Sequence, residues 1–297
     1  MAEIITSCPV CRKGIFTEFL RVKDHFLSRE EFIIQECTGC GFRFVNPRPG
    51  PQEIGRYYQS EEYISHGAKK QDLISRVYRL ARIFSIRTKF GIVKKYSHSG
   101  KMLDIGCGTG EFLGYCRKQG YEVSGVEPNE RARSFAESAN KIPVAEQLMA
   151  YSAKPGSYAC ITMWHVLEHV HELNMTMESI RELLAPDGVF IAAVPNCHSW
   201  DASKYGTCWA AYDVPRHLYH FTSKTLNDLA ARNGFEVVKI LPQKMDAYYV
   251  SMLSEKYQNG KVNYMKALFY GFWSNISAKR EARGNSSLIF VLKRKKA

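Results

Sequence analysis

Beyond Lys101 the chain alternates short apolar runs with longer stretches in which apolar residues recur every three or four positions. The first kind reads as buried parallel strands and the second as helices laid over them. Strands are predicted near 101–105, 121–126, 142–145, 158–163, 188–194, 235–241 and 287–293. Helices fall between them, one opening at Glu111 and another after Asn129, a suitable N-cap, with Gly120 and Asn140 suited to their stops. From about Lys70 to Tyr96, Leu73, Val77, Leu80, Ala81 and Phe84 recur at helical spacing, with Arg76, Arg79 and Arg82 in a stripe alongside. This predicts a long helix ahead of the main domain. Residues before Asn46 read as short strands, closed by the Pro- and Gly-rich segment Asn46 to Pro51, which neither a helix nor a central strand could continue. The organisation predicted is a small module over 1–48, a linker and basic helix over 49–100, and an α/β domain over 101–297 with an insert at about 242–286.

The front module carries two C-x-x-C pairs, Cys8 with Cys11 and Cys37 with Cys40, separated by 25 residues. Each pair sets two thiolates on a tight knuckle, and two knuckles complete a tetrahedral shell for zinc. Four protein thiolates leave no open position, so the expected metal is structural. The other five of the nine cysteines are scattered and read as small buried residues. The odd count and the absence of a charged-then-apolar leader favour a reducing compartment, hence a soluble cytoplasmic protein, and no run is long enough to span a bilayer.

Net charge is +12, and the stretch from Lys69 to Lys101 holds ten Lys/Arg against one acid, Asp72. Such a patch could meet a nucleic acid, a phosphorylated small molecule or an anionic membrane surface, or simply face water.

The strongest motif is the glycine turn Gly106-Cys107-Gly108-Thr109-Gly110, entered from an apolar strand and leading into a helix. Glycines permit the sharp bend and let a ligand approach the backbone, and the helix amides face that ligand. Asp104 precedes the turn, where a dinucleotide dehydrogenase is normally apolar. Glu127 ends the next strand, placed to accept from a ribose diol. LDIGCGTGEFL, GVEPNERA, ACITMWHVLEHV and LLAPDGVFIAAVPN, in that order, resemble the successive motifs of class I S-adenosylmethionine-dependent methyltransferases. The resemblance implies a Rossmann-like sheet of seven strands whose last strand runs antiparallel. It implies that Asp104, Gly106, Gly108 and Gly110 cradle the methionine part of S-adenosylmethionine and that Glu127 holds the ribose. Residues near Glu146 to Leu148 would meet the adenine, and Trp164 and His165 would stand beside the sulfonium. A zinc ribbon ahead of such a domain is similar to arrangements in some ribosomal RNA methyltransferases and in carbon methyltransferases of deoxysugar nucleotides. The FRFVNPRP exit and the tyrosine run Tyr57, Tyr58 and Tyr63 are closer to the second group and its uncharacterised bacterial relatives.

Transfer to oxygen or carbon requires a base. The long segment after the fifth strand carries Tyr212, Asp213, Arg216, His217, Tyr219 and His220. His217 is the first candidate, His220 the second and His165 the third, while His169 and His171 read as structural; Arg216 could pair with an anionic group of the acceptor. The expected reaction is O- or C-methylation of a small anionic or sugar-linked metabolite. The alternative is RNA methylation, with ribbon and basic helix gripping the nucleic acid. The aromatic and basic insert could pack on the domain, line the pocket or touch a membrane.

Overall fold

The computed structural model describes residues 2–58, 73–148, 154–280 and 284–295. Tyr63, Lys69, Lys70 and Asp72 lie outside these, as do the side chains of Arg76 and Arg79. Strands β1 (Ala2–Glu3), β2 (Phe16–Lys23), β3 (Glu31–Cys37), β4 (Arg43–Val45) and β5 (Arg48–Pro49) form the front of the chain, and α1 (Leu73–Tyr96) leads out of it. The main body then runs β6 (Lys101–Ile105), α2 (Glu111–Lys118), β7 (Glu122–Val126), α3 (Glu130–Asn140), β8 (Val144–Ala145), β9 (Tyr158–Trp164), α4 (Leu173–Leu183) and β10 (Leu184–Pro195). After α5 (Trp200–Tyr205) come β11 (Tyr219–His220), α6 (Ser223–Arg232), β12 (Phe235–Pro242), α7 (Asp246–Asn259), α8 (Tyr264–Arg280) and β13 (Ser287–Arg294).

Seven strands build the large sheet, in the order β12-β13-β10-β9-β6-β7-β8. Its inner strands pair in parallel, and β13 is antiparallel to both neighbours. These are the strands that the apolar runs predict, and their number and the antiparallel last strand are those that the resemblance implies. Buried on both faces, β6 and β9 carry near-continuous apolar residues, including Met102, Leu103, Cys160, Ile161 and Met163. Asn129 caps α3, its side chain accepting from the Ala132 amide. The left-handed stop of that helix falls on Lys141 at φ 50°, one residue beyond the Asn140 expected from sequence.

The second sheet, β11-β4-β3-β2, joins distant parts of the chain. Three of its strands come from the front module. The fourth is β11, from the segment after β10, with Tyr219 opposite Phe44 and His220 opposite Arg43. That segment, read from sequence as a long loop, holds one short helix and two 3-10 turns and buries Trp209, Tyr212, Val214 and Leu218.

The insert folds as two packed helices. Helix α8 turns small residues inward, with Ala267, Ser274 and Ser277 buried, and leaves Met265, Leu268, Phe269 and Phe272 exposed. Among the described residues no helix is long and apolar enough to cross a membrane.

Candidate active site

The glycine turn stands at the carboxyl end of β6, and its three glycines are required for different reasons. All three have positive φ: 76° at Gly106, 55° at Gly108 and 75° at Gly110. A Cβ on Gly106 would collide with Cγ2 of Val166, and one on Gly110 would press on Ala136 at 3.0 Å and Ile142 at 3.1 Å. A Cβ on Gly108 would meet nothing within 4 Å. Gly108 therefore borders open space, whereas the other two let protein segments close on the turn.

Glu127 reaches back from the end of β7. Its Oε2 accepts from the Gly108 amide at 2.9 Å and its Oε1 from the Asn129 amide at 2.9 Å. The carboxylate is thus fixed at the rim of that space. Asp104 is buried beneath it and accepts from the Thr162 hydroxyl at 2.5 Å. Burial pushes its carboxyl up to about 7, against the lowering effects of Thr162 and Lys89. A cationic ammonium, such as that of a methionine moiety, would offset the cost of ionising it. An open glycine cradle, a rim carboxylate and an under-compensated buried acid fit S-adenosylmethionine. Farther round the rim, Glu146 stands 3.7 Å from Arg133, and Leu148 packs on the core.

Trp164 closes β9, packed edge-on against Phe112 with ring centroids 5.7 Å apart. Its Nε1 is buried without a hydrogen-bond partner. Lys89 of α1 lies over the Trp164 ring at 4.9 Å. Burial lowers its pKa, and Asp104 and Asp246 oppose that shift. Sequence singled out neither Lys89 nor Asp246, because helical spacing makes one a surface cation and the other an ordinary helix-start acid.

His165 follows Trp164 with φ 58°, a left-handed backbone that costs a non-glycine residue about 1 kcal/mol or more. The bend directs it to the same end of the sheet, one residue before the Val166 that covers Gly106. Its Nδ1 faces Glu168 Oε1 at 3.4 Å, and its Nε2, buried without a hydrogen-bond partner, is 3.9 Å from Asp246. Burial disfavours the imidazolium, but the Asp246 and Glu168 carboxylates outweigh it and raise the pKa above the ordinary histidine value.

His217 also approaches Glu168, with Nε2 at 4.0 Å from its Oε1 and 3.9 Å from Asp213 Oδ2. Its Nδ1 lies 2.8 Å from the Ala211 carbonyl. His169, read from sequence as structural, packs edge-on against His217 with centroids 4.6 Å apart. Burial and His217 push it down to about 4. His220 lies in β11 against the Tyr212 ring at 5.3 Å, and burial holds its pKa well below the usual value. Arg216 does not face open space. It is buried among Asp24, Asp213 and the Tyr57 carbonyl, so it is already compensated within the protein.

In the front module the sulfurs of Cys8, Cys11, Cys37 and Cys40 lie within 4.8 Å of one another. Cys8 and Cys40 are 3.7 Å apart and Cys11 and Cys37 3.4 Å. Zinc–sulfur bonds of about 2.3 Å give tetrahedral edges of about 3.8 Å, so the donor set fits zinc. A cleft of about 670 Å³ lined by Lys101, Glu122 and Ser157 opens where the strands begin, at the opposite end of the sheet from the glycine turn.

Comparisons with known proteins agree with this geometry. The chain is 27% identical over 177 residues to a ubiquinone biosynthesis O-methyltransferase of Pectobacterium carotovorum, covering 56% of this chain and 74% of that one. A second enzyme of that name, from Actinobacillus pleuropneumoniae, is 26% identical over 53% of this chain and 72% of its own. Among solved structures, the PH0226 protein of Pyrococcus horikoshii superposes with a TM-score of 0.51 at 17% identity, over 81% of this chain and 99% of that one, a likeness of fold alone. Residues 75–240 match the model of the methyltransferase domain family. The chain belongs to that family and is an S-adenosylmethionine-dependent methyltransferase of the class I fold.

Proposed function

We propose that the enzyme methylates an oxygen, or failing that a carbon, of a small anionic or sugar-linked acceptor, with His165 as the base. The observation that carries this reading is the placement of His165. Its neighbour Val166 packs on Gly106 of the glycine turn, and the imidazole has Glu168 behind Nδ1 and no hydrogen bond on Nε2, which supports a role at that end of the sheet. A histidine backed by a carboxylate takes a proton through its other nitrogen, and the carboxylate stabilises the imidazolium that forms. His217, the first candidate from sequence, has its Nε2 near both Glu168 and Asp213 and no contact with the glycine turn among those described, and His220 is buried in β11. Oxygen as acceptor is supported by the O-methyltransferase names of the two relatives.

In this reading Asp104, Gly106, Gly108, Gly110, Glu127 and Trp164 surround S-adenosylmethionine, and Cys8, Cys11, Cys37 and Cys40 hold a structural zinc. The cofactor supplies the electrophilic methyl group; the chain binds it, aligns the acceptor and removes the proton. A small acceptor over RNA is supported by the cations already paired within the protein. Arg43, Arg48 and Arg216 are engaged with Glu36, Glu3 and Asp24, and Arg82 pairs with Glu111 at 2.6 Å.

The test is a single-turnover assay with labelled S-adenosylmethionine against a panel of phenols, carboxylates, nucleotide sugars and transfer RNA. Methylation of a small acceptor, lost in His165→Ala while S-adenosylhomocysteine still binds, is the expected result. Transfer to RNA alone would overturn the reading.

A further inference from the structure

The side chains behind His165 form a second constellation, of which proton removal uses Glu168 alone and leaves His169 and His217 without a role. Glu168 stands in a 3-10 turn (Leu167–His169), fully buried, and neither carboxylate oxygen has a hydrogen-bond partner. Burial disfavours its ionised form, but His165 at 3.4 Å, His217 at 4.0 Å and His169 hold its pKa below the usual carboxylate value, so a buried anion sits among three imidazoles with no hydrogen bond of its own.

Two further histidines, His169 and His217, adjoin that carboxylate. His169 Nδ1 lies 2.9 Å from the Arg216 carbonyl and 2.9 Å from the Tyr58 hydroxyl. A carbonyl only accepts, so Nδ1 carries the proton, and in the neutral imidazole Nε2 is then the ligand atom. His217 repeats the arrangement, donating Nδ1–H to the Ala211 carbonyl at 2.8 Å. Both tautomers are thereby fixed by backbone oxygens, the outer support usual for metal-bound histidine. One ligand atom from each of Glu168, His169 and His217 falls within 4.8 Å of the others.

We infer that Glu168, His169 and His217 bind a divalent transition cation. Two neutral imidazoles and one carboxylate suit zinc, iron or nickel better than calcium or magnesium, which prefer all-oxygen shells. Three protein ligands leave at least one coordination position vacant. Where the methyl acceptor lies, and so what fills that position, rests on the function proposed above: an acceptor hydroxyl bound there would ionise more easily, and its proton would pass to His165. The cation site itself depends only on the three side chains.

The experiment uses the full chain, stripped of metal with a chelator and titrated with zinc alone, the stoichiometry read by native mass spectrometry. The thiolate cluster contributes equally in all samples. Wild type is expected to bind one zinc more per chain than Glu168→Gln and one more than His217→Gln. S-adenosylhomocysteine calorimetry selects the variants that retain their fold, and either variant alone decides the matter. Equal zinc content in wild type and a folded variant would overturn the inference. A chain that binds the extra zinc yet methylates no small acceptor would instead refute the proposed reaction and leave the cation site standing.

Discussion

Arg216 and Asp24 are 192 residues apart in sequence, and Arg216 Nη2 lies 2.8 Å from the Asp24 carboxylate in a buried ion pair. Asp24 also accepts from the amides of Phe26, Leu27 and Ser28. The guanidinium bonds Asp213 and the Tyr57 carbonyl and lies over the Phe26 ring at 4.8 Å. This contact fixes the histidine-bearing segment to the front module.

Removing one member of a buried pair leaves an uncompensated charge. Arg216→Met is expected to lower unfolding free energy by about 3–5 kcal/mol, and Arg216→Met with Asp24→Asn by less, read by urea denaturation. Burial alone would raise the Asp24 carboxyl, but Arg216 and the Ser28 amide bring it down to about 2. A depressed carboxylate pKa contributes stability that is present above the unfolded value, near 4, and is lost as pH falls towards 2. The acid unfolding of wild type should therefore be steeper in that window than that of Asp24→Asn.

The glycine turn separates packing from ligand binding. Gly106→Ala must displace Val166 and strain a left-handed backbone, so a loss of about 2 kcal/mol or more is expected in chemical denaturation. Gly108→Ala meets no protein atom within 4 Å. It should cost only the backbone term, about 1 kcal/mol, and show its larger effect as weaker S-adenosylhomocysteine binding in calorimetry.

Glu127→Ala removes two charge-assisted acceptors at the rim of the cradle. A loss of cofactor affinity of about 10- to 100-fold is expected, the range for hydrogen bonds to a charged group. Unchanged affinity would remove Glu127 from the cofactor site.

His165 must be neutral to act as a base, so turnover should rise with pH through an apparent pKa above the usual histidine value. The Asp246 carboxylate raises that pKa. Asp246→Asn should move the rising limb to lower pH, and His165→Ala should reduce turnover by about 100-fold or more with cofactor affinity retained.

Sequence showed the large sheet clearly because β6, β9 and β10 are apolar on both faces, and the glycine turn because its bend admits few other residues. The four-thiolate cluster was equally legible, since two short knuckles keep their spacing wherever the rest of the module goes. Other relationships were hidden. Arg216 read as a substrate-binding cation because nothing local shows that Asp24 arrives from the far end of the chain. His169 read as structural because its neighbour His217 lies 48 positions away. Lys89 and Asp246 sit on helices whose spacing says nothing about which end of the sheet they overhang. The pairing of Tyr219 with Phe44 involves a strand of two residues, too short for any alternation to reveal.

That short strand limits how the enzyme can be re-engineered. Residues 101–297 grafted behind a different front end would present Tyr219 and His220 with no backbone to bond and Arg216 with no distal carboxylate. A replacement module must therefore supply both a free strand edge and a buried acid, and the front of this chain is a component of that distant segment's own architecture.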